Sequence, residues 1–173
     1  MEIVTASLLS ESIATMLNEA IFGPEGPGSW FTDHGRESGF LGSIETLSAE
    51  EASRPVTPGD RISVASHVGH LSYALGLAFR AMRGENPYRD ADWEGSWAAD
   101  VVDEPTWRAM IEDLKTVAAD LRTAIADPGV WTTSMRVTGM IGNVAHAAWR
   151  LGAVRQALGL IRAPAVKEEE FGC

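Results

Sequence analysis

The sequence predicts an all-α fold, and two observations support that prediction. Apolar residues recur at helical intervals along most of the chain, whereas no stretch of useful length alternates apolar and polar residues as a half-buried strand does. Several amphipathic helices can bury their apolar faces only against one another, so a helical bundle is the expected architecture. The 173 residues, 45% of them hydrophobic, suit a single domain spanning residues 1–173.

The first two helices are indicated by local spacing. A helix is predicted over residues 5–22, because apolar residues lie there at helical intervals and a Gly-Pro pair follows. A shorter helix is predicted over residues 36–48. Ser48 and Glu51 have the spacing of a capping box, which predicts one further helical turn.

The next helix is predicted over residues 58–83 and has a strong start signal. Thr57 is suited to cap it, Pro58 to occupy its first position, and Asp60 to lie in its first turn. Gly84 follows and is expected to end the helix.

A long loop over residues 85–103 separates this helix from the two that follow. It carries Trp93 and Trp97, and a loop of such length inside a compact domain tends to be functional. Helices are then predicted over residues 104–126, where one face is uniformly apolar, and over residues 135–162.

Composition narrows the possible partners and locations. The formal net charge of −10 disfavours nucleic acid, since phosphate binding needs a clustered positive surface. The apolar runs are too short to span a membrane and no signal peptide is apparent, so a cytoplasmic location is expected. Cys173 is the single cysteine, which excludes an internal disulfide. Residues 163–173 include an acidic run and are expected to form a flexible tail.

Two short polar segments lie inside otherwise apolar helices and are the strongest indication of a functional site. The first contains His67 and His70, one helical turn apart. On a helical wheel advancing about 100° per residue, His67 falls in the middle of the apolar arc and His70 at its edge. Both side chains are therefore expected to face the core.

The second segment contains Asn143, His146, Trp149 and Arg150. Asn143, His146 and Arg150 lie in one sector of the last helix, with Asn143 and Arg150 about one turn to either side of His146, among glycines and alanines. We expect this sector to face the core, with a neighbouring helix packed closely against its small residues.

Buried polar groups of these types need partners, because an unpartnered buried imidazole or guanidinium is costly. The partner could be a metal ion, an anionic ligand, or other members of the two segments. A lone inward histidine such as His67 is more often a core residue with satisfied hydrogen bonds than a ligand. For Arg150 the predicted partner is an acidic side chain, a bound anion or water, and an acidic partner would make a purely structural ion pair.

The two segments resemble the helix motifs of the DinB-like superfamily, over roughly residues 36–162. His70 stands where the second-helix motif has its usual ligand histidine. Residues 146–158 resemble the last-helix motif, in which two histidines four apart precede a Leu-Gly pair and then an Arg-Gln pair. The resemblance implies an antiparallel four-helix bundle, here with an extra N-terminal helix. Bundles of this kind are often homodimers. It also implies a divalent metal, zinc or nickel, held by three histidines.

The chain departs from that pattern at Arg150, which stands in place of the second histidine of the last-helix pair. Arginine stays protonated and offers only donors, so it cannot ligate a cation. His70 and His146 remain as the ligands that the resemblance implies. His67 could substitute for the third, since residues three apart on a helix can reach one ion.

Two functional interpretations follow from this departure. The favoured one is a bundle protein with a degenerate metal site, in which divalent metal binding is weak or absent and a small anionic ligand binds instead. Its ligand-binding residues are Arg150, Asn143 and Trp149. The alternative is an active metal-dependent thiol S-transferase or hydrolase. Its metal ligands are His67, His70 and His146.

Overall fold

The computed structural model describes residues 4–56 and 62–162, and every regular element among them is helical. The α-helices are α1 (Ala6–Phe22), α2 (Phe40–Ile44), α3 (Ala49–Ala52), α4 (Val64–Met82), α5 (Glu104–Ile125) and α6 (Ser134–Ile161). Short 3-10 turns lie at Arg36–Ser38, Gly95–Trp97 and Pro128–Val130. These two described ranges contain no strand, only an isolated bridge between Pro55 and Ser63. The predicted all-α class is confirmed.

Helices α1, α5 and α6 lie within one residue of their predicted bounds at each end. Each begins directly after a residue whose side chain accepts a backbone N–H of the first turn, as expected of a helix cap. These caps are Thr5, Asp103 and Thr133. Local sequence signals therefore define most of the helical content.

The single helix predicted over residues 36–48 is wrong. Gly39 is extended, with ψ 171°, and separates a 3-10 turn from the short helix α2. A Cβ atom on Gly39 would lie 2.2 Å from the backbone nitrogen of Gly23. This close approach admits only glycine at position 39. The extended backbone of Gly39 ends one turn and starts the next, so a single helix cannot form. The further turn predicted from Ser48 is confirmed as α3, with both hydrogen bonds of its capping box present.

The helix start predicted at residues 57–60 lies outside the described residues. Within them, α4 begins at Val64 and Ser63 is extended, so a continuous helix from residue 58 is wrong. The Ser63 side chain accepts from the Ser66 N–H and the Ser66 side chain accepts from the Ser63 N–H. This reciprocal pair satisfies two donors of the first turn and sets the observed start.

The four long helices pack in pairs around one core. Helix α4 contacts α5 and α6, and α1 contacts α6 and α5. The N-terminal helix, expected as an addition to the bundle, thus packs against two of the other long helices. The largest fully buried side chains include Leu17, Phe40, Leu71, Trp107, Leu121 and Met140. No helix within the described ranges has both the length and the apolar character needed to cross a bilayer.

Glu19 on α1 fixes the loop that follows this helix. Its buried carboxylate accepts the backbone N–H groups of Trp30, Phe31 and Thr32, each at 2.9 Å. The Thr32 hydroxyl donates to the same carboxylate. Burial raises the pKa of Glu19, but the hydrogen bonds outweigh that effect and hold its pKa below the usual value.

Substituting Glu19→Gln should destabilise the protein, because an amide accepts weaker hydrogen bonds and adds donors opposite three N–H groups. We expect a loss of about 1–3 kcal/mol in the free energy of unfolding at neutral pH. A depressed carboxyl pKa contributes stability above the unfolded pKa, which is lost as pH falls through the folded pKa, so the difference should shrink in acid. Urea unfolding at about pH 7 and about pH 3 measures both effects.

Glu11→Gln is the matched control for this substitution, because Glu11 is exposed on the same helix. Equal effects of the two substitutions at neutral pH would contradict the role given to Glu19.

Candidate functional site

His67 and His70 lie on α4 with their side chains buried, each only 6% exposed. Their inward direction agrees with the sequence-based prediction. The Nδ1 atom of His67 is buried and has no hydrogen-bond partner among the described residues. That unpartnered atom argues against the interpretation of His67 as a core histidine with satisfied hydrogen bonds.

Aromatic side chains from the 85–103 loop cover both histidines. The Trp97 ring stacks on the His70 ring, with centroids 4.0 Å apart and planes at 17°. It also lies edge-on to His67, with centroids 5.4 Å apart. Trp93 lies further out, 6.1 Å from His70. The long loop therefore forms the cover of the buried polar face of α4.

The start of α4 holds this cover in place. The Ser63 hydroxyl donates to the Asp100 carbonyl oxygen at 2.9 Å. The Ser66 hydroxyl donates to the Ala99 carbonyl oxygen at 3.4 Å. Both serines also form the capping box of α4, so the helix start and the position of the loop depend on the same side chains.

Hydrogen bonding determines which nitrogen of His70 carries the proton. Ser96 donates its hydroxyl hydrogen to the Trp93 carbonyl oxygen at 2.6 Å. It can therefore only accept from His70 Nδ1, which lies 2.8 Å away. In the neutral ring His70 Nε2 is then unprotonated. This atom lies 3.2 Å from His146 Nε2 on α6.

The hydrogen bond from Arg150 likewise determines which nitrogen of His146 carries the proton. Its Nε–H donates to His146 Nε2 at 2.9 Å, and arginine can only donate. His146 Nε2 is therefore unprotonated as well. The one lone pair of His146 Nε2 is used by Arg150, so the lone pair of His70 Nε2, 3.2 Å away, has no hydrogen opposite it. The structure thus brings His70, His146 and Arg150 together, as the sequence predicts.

The Arg150 guanidinium is half-buried between two indole rings. Its carbon lies 4.6 Å from the Trp97 ring centroid and 4.1 Å from that of Trp149, where the π faces attract a cation. None of the carboxylates in the described part of the chain pairs with it. Among the described residues, an imidazole and two indoles take the place of the acidic partner that was one of the three predicted alternatives. The alternative partners, an anion or water, stay a prediction.

The three imidazoles of the site are neutral near neutral pH. Burial, then the Arg150 charge, then His146 lower the pKa of His67 and of His70 to about 4. Burial and the Arg150 charge also lower the pKa of His146. Burial lowers the pKa of Arg150 too, yet a guanidinium stays protonated in proteins. The site therefore combines neutral rings with one fixed positive charge.

The spacing of His70 and His146 suits two ligands of one metal ion. Two imidazoles on one tetrahedral zinc ion have nitrogens about 3.3 Å apart, and 3.2 Å separates His70 Nε2 from His146 Nε2. However, Arg150 donates to the lone pair through which His146 would ligate, and its charge repels a cation. The described residues contain no group of three or more His, Cys, Asp or Glu side chains placed to hold a metal. The three-histidine site that the resemblance implies would therefore need the Arg150 side chain to move away from His146 and a third ligand to take part.

Asn143 and Trp149 lie outside the buried face of α6. Trp149 is 64% exposed and contacts Arg150 through its ring. The Asn143 amide donates to the Gly139 carbonyl of its own helix at 2.9 Å. Trp149 therefore positions the guanidinium, and Asn143 lines the cavity next to His70 and His146.

The expectation that the sector of α6 around His146 faces the core is wrong. The buried residues of this helix are Met140, Ala147, Leu151, Val154, Ala157 and Leu158. His146 precedes Ala147 by one position, about 100° on the wheel, and so lies at the edge of the buried face. This edge position places its ring against α4 on one side and against open space on the other.

Ser96 and Trp97 are the site residues that sequence reasoning did not assign. The tryptophans were noticeable on the loop, but loop residues lack a periodicity that would say what they cover. Ser96 had no distinguishing signal, since its role comes from two hydrogen bonds formed only in the folded chain.

Comparison with known proteins identifies a family for most of this chain. The family model described as the DinB superfamily matches residues 35–154, which include both polar segments of the site. Neither the curated proteins nor the solved structures gave a match to the chain.

Substituting His67→Phe should leave the stability unchanged or raise it by up to about 1 kcal/mol at neutral pH, because it removes an unpartnered buried nitrogen and keeps the ring. A histidine with a depressed pKa contributes stability above about pH 6.5, which is lost as pH falls towards 4. The variant should therefore lose less stability than the unmodified protein over that interval. Urea unfolding of the variant and of the unmodified protein across this pH range measures the difference in stability.

His34→Phe serves as the control, since His34 is exposed and its substitution should change stability by no more than about 0.5 kcal/mol. A loss above about 2 kcal/mol for His67→Phe at neutral pH would show that the imidazole makes a stabilising polar contact.

Proposed function

The chain belongs to the DinB superfamily, and we propose that it is a member with a degenerate metal site that binds a small anionic ligand. The ligand binds at Arg150, beside His70 and His146. Trp149 orients the guanidinium and Asn143 borders the ligand. Divalent metal, whether zinc or nickel, is bound weakly or not at all.

The unused hydrogen-bond donors of the Arg150 guanidinium are the observation that carries this proposal. Its Nε–H is used on His146, while neither Nη nitrogen has an acceptor among the described residues. A guanidinium fork binds carboxylate or phosphate oxygens through two parallel hydrogen bonds. The indole rings of Trp97 and Trp149 already hold its plane, so little side-chain ordering is needed on binding.

The His70 imidazole adds a preference among anionic ligands. His146 Nε2 already accepts from Arg150, whereas His70 Nε2 has no hydrogen opposite it. A ligand with a hydroxyl or a protonated oxygen next to its anionic group can also donate to His70 Nε2. Hydroxy acids and monoprotonated phosphates therefore suit the site better than simple halides.

A second candidate is a divalent-metal-dependent thiol S-transferase or hydrolase that uses His67, His70 and His146. The 3.2 Å separation of the two Nε2 atoms favours it. It requires the Arg150 side chain to leave His146, because its Nε–H occupies the lone pair that a metal would need. Metal analysis of protein purified without a histidine tag distinguishes it from the first proposal.

We further propose an antiparallel arrangement of α1, α4, α5 and α6, and a homodimer. The outer side of α6 supports association, because four large apolar side chains there are more than half exposed. These residues are Met135, Ile141, Trp149 and Leu160. Sedimentation equilibrium tests the dimer.

Substituting Arg150→Gln should weaken the binding of inorganic phosphate and of acetate by about tenfold to a hundredfold, because it removes the charge and the fork of donors. NMR titration of the backbone amides measures such weak affinities. Arg155→Gln is the control, since Arg155 is on the same helix but exposed and paired with Asp33. Equal affinities of the Arg150→Gln variant and the unmodified protein would overturn the proposal.

Substituting Arg150→His should raise zinc and nickel affinity, because the new imidazole offers a lone pair where the guanidinium offers only donors. Calorimetric titration of both forms, made without a histidine tag, measures the difference. If the unmodified protein binds one equivalent tightly through His70 and His146, and the substitution adds nothing, the degenerate site is refuted and the metal-dependent enzyme is favoured.

A further inference from the structure

A groove leads away from His70 and His146 along the seam between α4 and α6. It consists of an inner cavity of about 420 Å³, next to the two histidines, and an outer cavity of about 490 Å³. Tyr88, Gly139 and Asn143 line both cavities, so the two adjoin each other. The groove as a whole is larger than a small anion requires.

The walls of the groove are largely small or apolar. Helix α4 contributes Ala74, Ala78 and Met82, and α6 contributes Gly139 and Met140. A Cβ atom added to Gly139 would meet nothing within 4 Å, so the missing side chain leaves the middle of the groove open. An apolar chain lying here would remove these surfaces from water.

The two ends of the groove are polar, unlike its walls. At the inner end, His70 is 6% exposed and its Nε2 lies 3.2 Å from His146 Nε2. The Arg150 charge lies next to this pair. At the outer end the lining changes to Glu85 and Arg136. The polarity therefore suits a ligand with one anionic head and an apolar chain of limited length.

We propose that the groove holds the extended apolar chain of an amphipathic carboxylic acid whose head binds at Arg150. This inference rests on the proposed function and adds the class of ligand. Along α4 the groove reaches from His70 to Ala81, about 16 Å at the rise of an α-helix. Chains that exceed this length meet the polar outer end and gain nothing more.

A series of straight-chain carboxylates from acetate to dodecanoate, each below its micelle concentration, tests the inference. For the unmodified protein we expect affinity to rise about fourfold for each added methylene until the groove is filled. NMR titration suits the short acids and calorimetry the long ones.

The Gly139→Leu variant fills the middle of the groove, and Gly152→Leu is its matched control. Both glycines are on α6, and a Cβ atom at either position meets nothing within 4 Å, but Gly152 does not line the groove. Leucine has a higher helix propensity than glycine, so neither substitution weakens the helix. We expect Gly139→Leu to abolish the gain with chain length while acetate affinity stays within about twofold, and Gly152→Leu to change neither.

The outcomes separate this inference from the proposed function. If acetate binds but affinity does not rise along the series, the proposed role of the groove is wrong and the anion site stands. A gain that Gly139→Leu removes but Arg150→Gln does not affect supports the groove and overturns the anion site. Failure of both acetate and octanoate to bind overturns both. If Gly139→Leu instead dissociates a dimer in sedimentation experiments without changing octanoate affinity, the groove belongs to a second copy and the inference is wrong.

Discussion

The Arg150 guanidinium, held by His146 and by the faces of Trp97 and Trp149, is the charge around which the site is organised. One of these contacts comes from the loop that covers α4, so the packing of that loop and the position of the charge are linked. The same charge adds to burial in keeping the neighbouring imidazoles neutral. Neutral rings beside a permanent cation favour oxyanions over metal cations, since the cation repels a second positive charge.

The start of α4 is part of this arrangement. Its capping serines satisfy the first turn of the helix and also donate to the carbonyl oxygens of Ala99 and Asp100. Because those carbonyls directly follow the 3-10 turn that carries Trp97, a change at the helix start would move the indole that stacks on His70 and Arg150. The serines that start α4 therefore also hold the loop that covers the site.

The predictable parts of the structure are those encoded locally. The bounds of α1, α5 and α6 follow from caps and apolar spacing, and the burial of His67 and His70 follows from one continuous apolar arc on α4. The orientation of α6 could not be predicted, because apolar or small residues surround this helix and a wheel gives relative angles only. Which side is buried depends on where α1 and α4 pack. Ser96 could not be assigned, since its role depends on hydrogen bonds with Trp93 and His70.

Arg150 stands where the resemblance implies a ligand histidine, and an arginine keeps its charge over the whole physiological pH range. A histidine presents a lone pair or a proton according to tautomer and pH, whereas arginine only donates. The attraction of Arg150 for an oxyanion therefore persists across physiological pH and is weakened mainly by salt. Charge attraction alone does not distinguish one carboxylate from another, so selectivity has to come from the rest of the ligand. In the proposed complex, the apolar walls beside Ala78 and Met140 contact the chain of the ligand, and the guanidinium contacts its head. Because the two contributions fall on separate groups, a molecule that carries both an anionic head and an apolar chain gains from both at once.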